Sequence, residues 1–180
     1  MDVTTGDWFY NDIRYVVEKG FMQGIGEDDF GVDDEVTRAM FVTVIYRMEN
    51  EPQTDCDMTF KDVLSDTYYA NAVAWATANG IVAGYSDEEF GPDDTITREQ
   101  MAAIMYRYAE YKGHDMTVTE PLIYTDAESI SDYALTAVMW ATGNGILSGY
   151  TDNTMRPDAT AIRAQIAAVC RRFDERLNLE

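Results

Sequence analysis

The side chains able to do chemistry in this chain are mostly carboxylates. Asp and Glu number 33 against 13 Lys and Arg, with one His and two Cys in 180 residues. Paired carboxylates can serve as the acid and nucleophile of a glycosidase, and Asp87-Glu88-Glu89 and Glu27-Asp28-Asp29 cluster oxygen ligands of the kind calcium takes. Neither loop has the alternating ligand spacing, with Gly at six and Glu at twelve, of an EF-hand. A His-based triad, GxSxG, HExxH and a phosphate-binding glycine loop are all missing from the sequence. Cys56 and Cys170 form no CxxC and no cluster with His114, which supports neither zinc nor thioredoxin-type chemistry. The two could pair in an exported protein, while Cys170, on an apolar helical pattern, reads as a buried free thiol. The expectation is a binding protein with no catalytic residue, metal or cofactor.

Charge narrows the partners further. A formal net charge of −20 repels phosphate backbones, which argues against nucleic acid. No apolar run approaches the roughly 20 residues of a membrane-spanning helix, so membrane insertion is not expected. Any anionic ligand must be held by local positive charge. Apolar residues at 46% and aromatics at 12% are enough for a packed core. Met1 to Gly6 lacks the basic and apolar regions of a signal peptide, so the chain is expected to be either cytosolic or a piece excised from a longer protein.

The elements that position these side chains come in triplicate. Residues 9–50, 69–110 and 134–175 align without gaps at offsets of 60 and 65. Five columns are identical in all three: Gly20/Gly80/Gly145, Gly24/Gly84/Gly149, Asp33/Asp93/Asp158, Arg38/Arg98/Arg163 and Arg47/Arg107/Arg172. The second and third copies also share Trp75/Trp140, Asn79/Asn144, Tyr85/Tyr150 and Pro92/Pro157. Each copy reads as helix, loop, helix. Phe9, Ile13, Val16 and Val17 recur at helical spacing, and Gly20, Gly80 and Gly145 fall where a left-handed residue ends a helix. Phe21-Met22, Ile81-Val82 and Ile146-Leu147 are expected to fold back onto the helices. Thr97-Arg98-Glu99-Gln100 has the form of a capping box, Thr37 can cap likewise, and in the third copy Ile162 takes that column and leaves Thr160 as the nearest candidate. Second helices carry the main apolar stripe, such as Met101, Ile104, Met105 and Tyr108, with Met read as core filler. Hairpins this small must bury their faces on one another. The expected fold is therefore all-α, with repeats over 1–50, 60–112 and 124–177 packed as one pseudo-threefold bundle.

These residues resemble the S-layer homology family. Its aromatic-x-Asp start, Trp-Ala helix, Gly-Ile-x-x-Gly-Tyr-x-Asp loop, Phe-x-Pro turn and Ile-Thr-Arg-Ala-Glu helix opening are matched in the second copy. The matching residues are Phe60-Lys61-Asp62, Trp75-Ala76, Gly80-Ile81-Val82-Ala83-Gly84-Tyr85-Ser86-Asp87, Phe90-Gly91-Pro92 and Ile96-Thr97-Arg98-Glu99-Gln100. The third copy matches most of it, and the first diverges, with Tyr15 for the Trp and Gly24-Ile25-Gly26-Glu27 for the loop. The resemblance implies an anchoring module, extracellular at the cell wall or S-layer surface and attached to a larger exported cargo. Its inter-repeat grooves would bind a secondary cell-wall polysaccharide through an anionic ketal (pyruvylated) sugar.

The family's signature arginine carries over to Arg38, Arg98 and Arg163. A guanidinium at a helix start, with free N–H groups and the positive dipole end, would suit a ketal carboxylate. The alternative is pairing with Asp33, Asp93 or Asp158, which is also the expectation for Arg47, Arg107 and Arg172. Trp75 and Trp140 could stack on sugar or fill a helix interface, and Gly84 and Gly149 could admit a ligand or simply shape a turn. The signature Glu is replaced by Met40, Gln100 and Gln165, so the sites should be unequal, with the groove richest in second-copy residues favoured. Self-assembly, binding to another envelope protein and binding to peptidoglycan are the competing readings.

Overall fold

A computed structural model describes residues 2–54, 58–118 and 121–177. Among these, six α-helices alternate in the expected order: α1 (Tyr10–Glu18), α2 (Arg38–Met48), α3 (Ala70–Ala78), α4 (Arg98–Tyr111), α5 (Asp132–Gly143) and α6 (Arg163–Leu177). A single 3-10 turn, Ala127–Ser129, precedes α5. No strand forms among the described residues, so the fold is all-α.

Local chemistry accounts for the helix ends. Gly20, Gly80 and Gly145 sit at φ of 76°, 70° and 64° just past α1, α3 and α5. There Phe21, Ile81 and Ile146 donate their N–H back to Val16, Ala76 and Ala141, closing the terminal turn. Asn79 and Asn144 add side-chain bonds to the carbonyls of Trp75 and Trp140. The capping box of α4 is complete, with Thr97 accepting from Gln100 N–H and the Gln100 side chain returning to Thr97 N–H, and Thr37 accepts from Met40 N–H. The third copy departs from expectation. Gln165 reaches back to Ile162 N–H, half a capping box, while Thr160 is drawn into a backbone bridge with Thr97.

The strongest helix-on-helix packing is between repeats. The second helix of each copy lies on the first helix of the next, α2 on α3 and α4 on α5, and α6 returns to α1. At the centre, Ile96 N–H donates to Val36, Ala161 to Ile96, and Val36 to Ala161, so three equivalent residues close a ring of backbone bonds. The helix starts interlock in the same order. Arg38 and Ala39 donate their N–H groups to Asp94 and Pro92 of the second repeat, Arg98 and Glu99 to Ala159 and Pro157 of the third, and Arg163 and Ala164 to Asp34 and Val32 of the first. Two of the four orphan donors at each helix start are thereby satisfied by the neighbouring turn. Met101, Ile104, Met105 and Tyr108 are buried as read, as are the pairs following the first helices. Val17 is the exception at 45% exposed.

The aspartate that opens each repeat clamps its own loop. Asp2 accepts from Phe30 and Val32 N–H, Asp62 from Phe90 and Gly91, and Asp126 from Met155 and Arg156. Burial pushes up the carboxyls of Asp2 and Asp126, but these N–H donors outweigh it, holding Asp2 down to about 2 and Asp126 below its ordinary 3.8. A depressed carboxylate stabilises the fold fully above its unfolded pKa and loses that contribution as pH falls through the folded one. Melting temperature is therefore expected to hold above about pH 4 and fall toward pH 2, and Asp126→Asn should flatten that slope while lowering the plateau. Thermal melts across this range check it, and an unchanged slope in the variant would count against the clamp.

Candidate functional site

Three grooves recur, each built from the same columns. The largest, about 420 Å³, is lined by Arg98, Ser148 and Tyr150, by Gln165 and Arg172 of α6, and by Trp8 of the first repeat. Its counterpart of about 180 Å³ has Arg163, Gln23, Met40, Arg47 and Tyr68, and the third, about 50 Å³, has Arg38, Ala83, Gln100, Arg107 and Tyr133. Each groove thus takes one arginine from the preceding repeat, a loop and a second helix from its own, and an aromatic from the following one.

The helix-start arginines form the floors. Arg38 donates through Nε to Phe90 O at 3.0 Å and through Nη2 to Ala83 O at 3.0 Å. Arg98 does the same to Met155 O and Ser148 O, both at 2.8 Å, and Arg163 to Phe30 O at 2.7 Å and Gln23 O at 2.5 Å. The guanidinium carbons also sit over aromatic rings, Arg38 over Tyr85 and Phe90, Arg98 over Tyr150, and Arg163 over Phe30. The sequence expectations for these residues are corrected twice. Their fork is spent on carbonyls of the next repeat's loop rather than on Asp33, Asp93 or Asp158. The backbone N–H groups beside them are already bonded, so no open helix-start cradle is left for an anion. Among the described residues none of the three forms a direct ion pair.

Burial lowers all three guanidinium pKa values, and their neighbours differ. Asp34, Asp2 and Asp29 oppose the shift at Arg163, and Tyr85 and Asp94 at Arg38. At Arg98 the column of Asp34 and Asp94 is occupied by Ala159, and Arg156 adds like charge, with Tyr150 lying beneath both guanidinium groups. The Arg98 groove is the most voluminous of the three; one carboxylate, Asp126, opposes the shift at Arg98, as Asp94 does at Arg38, against three at Arg163. Sequence reasoning favoured the groove richest in second-copy residues; its part between Arg38 and Arg107 measures about 50 Å³, and a pocket of about 580 Å³ lined by Gly84, Tyr85 and Ser86 adjoins it at Val82 and Ala83.

Other expected site residues fall elsewhere. Trp75 and Trp140 are 3% and 1% exposed and line none of these grooves. Trp75 packs against Tyr46 and Tyr111, and Trp140 against Tyr106 with its indole N–H on Asp115 O. Besides Tyr150, the aromatics that line the grooves are Trp8, Tyr68 and Tyr133, a column one residue before the aligned blocks. Gly149 lines the Arg98 groove, whereas Gly84 lines the pocket that adjoins the part between Arg38 and Arg107. Both glycines are required by packing. A Cβ at Gly149 would strike the Tyr124 ring and Thr154 O, and one at Gly84 would strike Phe60 and the carbonyls of Glu89 and Ser86.

Arg47, Arg107 and Arg172, expected to be paired structural residues, instead line the grooves as second cations. Among the described residues none of them pairs with Asp33, Asp93 or Asp158, and Arg47 alone has an ion pair, a loose 3.7 Å contact to Glu51 four residues on. Arg172 makes long contacts of 3.4 Å to Ser148 Oγ and 3.5 Å to Ile146 O. Their identity in all three copies was the available signal. Cys170 is a buried free thiol, while any pairing with Cys56 lies outside the described residues.

Comparison with known proteins agrees with this architecture. The family model described as S-layer homology domain matches residues 2–40, 59–102 and 123–167. The chain is 33% identical over 167 residues to an amylopullulanase of Thermoanaerobacterium thermosulfurigenes, covering 91% of this chain and 9% of that protein. It is 29% identical over 169 residues to a surface-layer 125 kDa protein of Lysinibacillus sphaericus, covering 92% and 14%. It is likewise 29% identical over 161 residues to a cellulosome-anchoring protein of Acetivibrio thermocellus, covering 87% and 36%. The chain thus spans a minor part of each relative's length, and the shared part is common to proteins with enzyme names and proteins without. Three ordered matches over the three structural repeats establish that this chain belongs to the S-layer homology domain family.

Proposed function

We propose that this chain is a non-covalent anchoring module that works outside the cell, at the cell wall or S-layer surface, and holds a larger exported protein there. Its ligand is a secondary cell-wall polysaccharide, bound through an anionic ketal sugar in the groove between Arg98 and Arg172. The observation that carries this reading is the convergence of two arginines in the widest groove, neither ion-paired among the described residues, in a chain whose net charge is −20. Arg172 is the more accessible of the two and suits bidentate capture of a ketal carboxylate. Buried Arg98 supplies charge from below, and Trp8, 61% exposed, offers an apolar face for a sugar ring. The recurrence of this segment in relatives named as enzymes, surface-layer proteins and an anchoring protein fits a transferable anchor rather than a catalytic unit.

The test is a pull-down of the purified chain on cell-wall sacculi, before and after acid extraction of the secondary polymer and after removal of its ketal groups. Binding is expected to disappear in both treated samples. Binding that persists only after the polymer is gone would assign the module to peptidoglycan, and absence of binding throughout would favour self-assembly or a protein partner.

A further inference from the structure

The three grooves share their columns yet differ in volume, about 420 Å³ at Arg98, 180 Å³ at Arg163 and 50 Å³ at Arg38. At Arg38 the space is divided: Gly84, Tyr85 and Ser86 line a pocket of about 580 Å³ that shares Val82 and Ala83 with the small one, and the part between Arg38, Arg107 and Tyr133 has room for one or two waters, on the order of 30 Å³ each, and none for a sugar ring. Its lining has Ile104 where the other two have Val44 and Val169, and one further position sets it apart. The residue after the helix-start arginine is Ala39 in the first repeat and Ala164 in the third, but Glu99 in the second. Glu99 is 9% exposed, and its carboxylate collects three hydrogen bonds from the chain entering α5. Ser131 donates from its N–H to Oε2 at 3.0 Å and from its hydroxyl to Oε1 at 2.8 Å, and the Tyr133 hydroxyl donates to Oε1 at 3.0 Å. Hydrogen bonds to an ionised acceptor are roughly twice as strong as neutral ones. Burial and the Glu99 contact push the Tyr133 hydroxyl up to about 12, so it stays a donor at neutral pH. In the column of Glu99 the other two repeats have Ala39 and Ala164, which offer Tyr68 and Trp8 no side-chain acceptor.

We propose that Glu99, Ser131 and Tyr133 form a latch that holds the Arg38–Arg107 groove shut, leaving this chain two open anion grooves. The ligand-level consequence rests on the anchoring function above; the latch itself does not. Replacing Glu99 by Ala, the residue of the other two repeats, opens the third groove.

Thiol labelling tests the latch without any glycan. In a Cys56→Ser background, Ala103→Cys places a thiol in the latched groove and Ala168→Cys places one at the matching position of the Arg98 groove, with buried Cys170 as the unfolding reporter. An anionic methanethiosulfonate should label position 103 about tenfold more slowly than position 168, and Glu99→Ala should restore about that factor, the scale of one lost charge-assisted hydrogen bond. Equal rates in the parent proteins, or a slow rate at 103 that Glu99→Ala leaves unchanged, overturn the latch. If Cys170 labels as well, Glu99→Ala has loosened the fold. Tyr133→Ala, at a 55% exposed position, then carries the same expectation and the same refutation. With a synthetic 4,6-pyruvate-ketal hexopyranoside as probe, calorimetric stoichiometry should rise by one site on Glu99→Ala. An unchanged stoichiometry in a protein that binds the probe refutes the third groove, whereas no binding by either protein strikes the anchoring function and leaves labelling to decide the latch.

Discussion

Arg98→Ala is expected to lower the melting temperature by roughly 10 °C, through a loss of about 3 kcal/mol in a chain of this size. Arg98 is 3% exposed, and its fork bonds two loop carbonyls of the third repeat, Met155 O and Ser148 O. Truncation strands both acceptors and leaves a void where the guanidinium lay over the Tyr150 ring. A buried unsatisfied acceptor costs ~1–3 kcal/mol, and the cavity adds to it. Arg98→Lys should recover little, because a single ammonium on a flexible stem cannot meet two carbonyls in the geometry of Nε and Nη2. Calorimetric or circular-dichroism melts measure this directly. A shift within about 2 °C, the range of an ordinary surface substitution, would refute the buried-strut role of Arg98.

The strut role bears on how such a variant should be read. Loss of wall binding in Arg98→Ala would follow from a loosened third-repeat loop even if Arg98 never touched a glycan. The intuition that a helix-start arginine is the separable ligand residue, and a mid-helix one the structural residue, is inverted by the burial of these side chains. Separable evidence has to come from the mid-helix arginines.

What was legible in the sequence was what is local. Gly20, Gly80 and Gly145 announced left-handed helix ends because only a residue without a Cβ adopts that backbone cheaply, and Thr97 with Gln100 announced a complete capping box. The apolar stripe of α4 was legible for the same reason: its periodicity belongs to one element. The partners of Arg38, Arg98 and Arg163 were not, since they lie 45 to 140 residues away, on carbonyls that come within reach only when the repeats interlock. Residue type alone left the tryptophans undecided between sugar platform and helix interface. Trp75 and Trp140 look like sugar platforms in a list of residues, yet their helix faces turn to a neighbouring helix, while exposed Trp8 stands at a groove. Groove width was the least legible property, because one column, Ala39, Glu99 and Ala164, decides whether the chain entering the next first helix is tied down.

Arg172→Ala is expected to weaken binding to the wall polymer by about ten- to a hundredfold, the range of one charge-assisted pair, while moving the melting temperature by only a few degrees. Arg172 is partly exposed, lines the 420 Å³ groove and holds its protein contacts only at 3.4 and 3.5 Å, so little packing is lost with it. Arg107→Ala, on the same column in the 50 Å³ groove, should leave affinity within about twofold, as expected of a side chain outside any occupied site. Arg47→Ala should fall between the two, since its groove is open but Asp34, Asp2 and Asp29 lie near Arg163. Ionic strength offers a second readout. The overall field of a −20 chain slows the approach of an anionic polymer, so moderate salt should raise the association rate, while the dissociation rate rises as the Arg172 contact is screened. In Arg172→Ala the dissociation rate should lose most of that salt dependence. Sedimentation on sacculi together with surface-binding kinetics measures both, and equal losses from Arg172→Ala and Arg107→Ala would mean that the widest groove is not where the polymer binds.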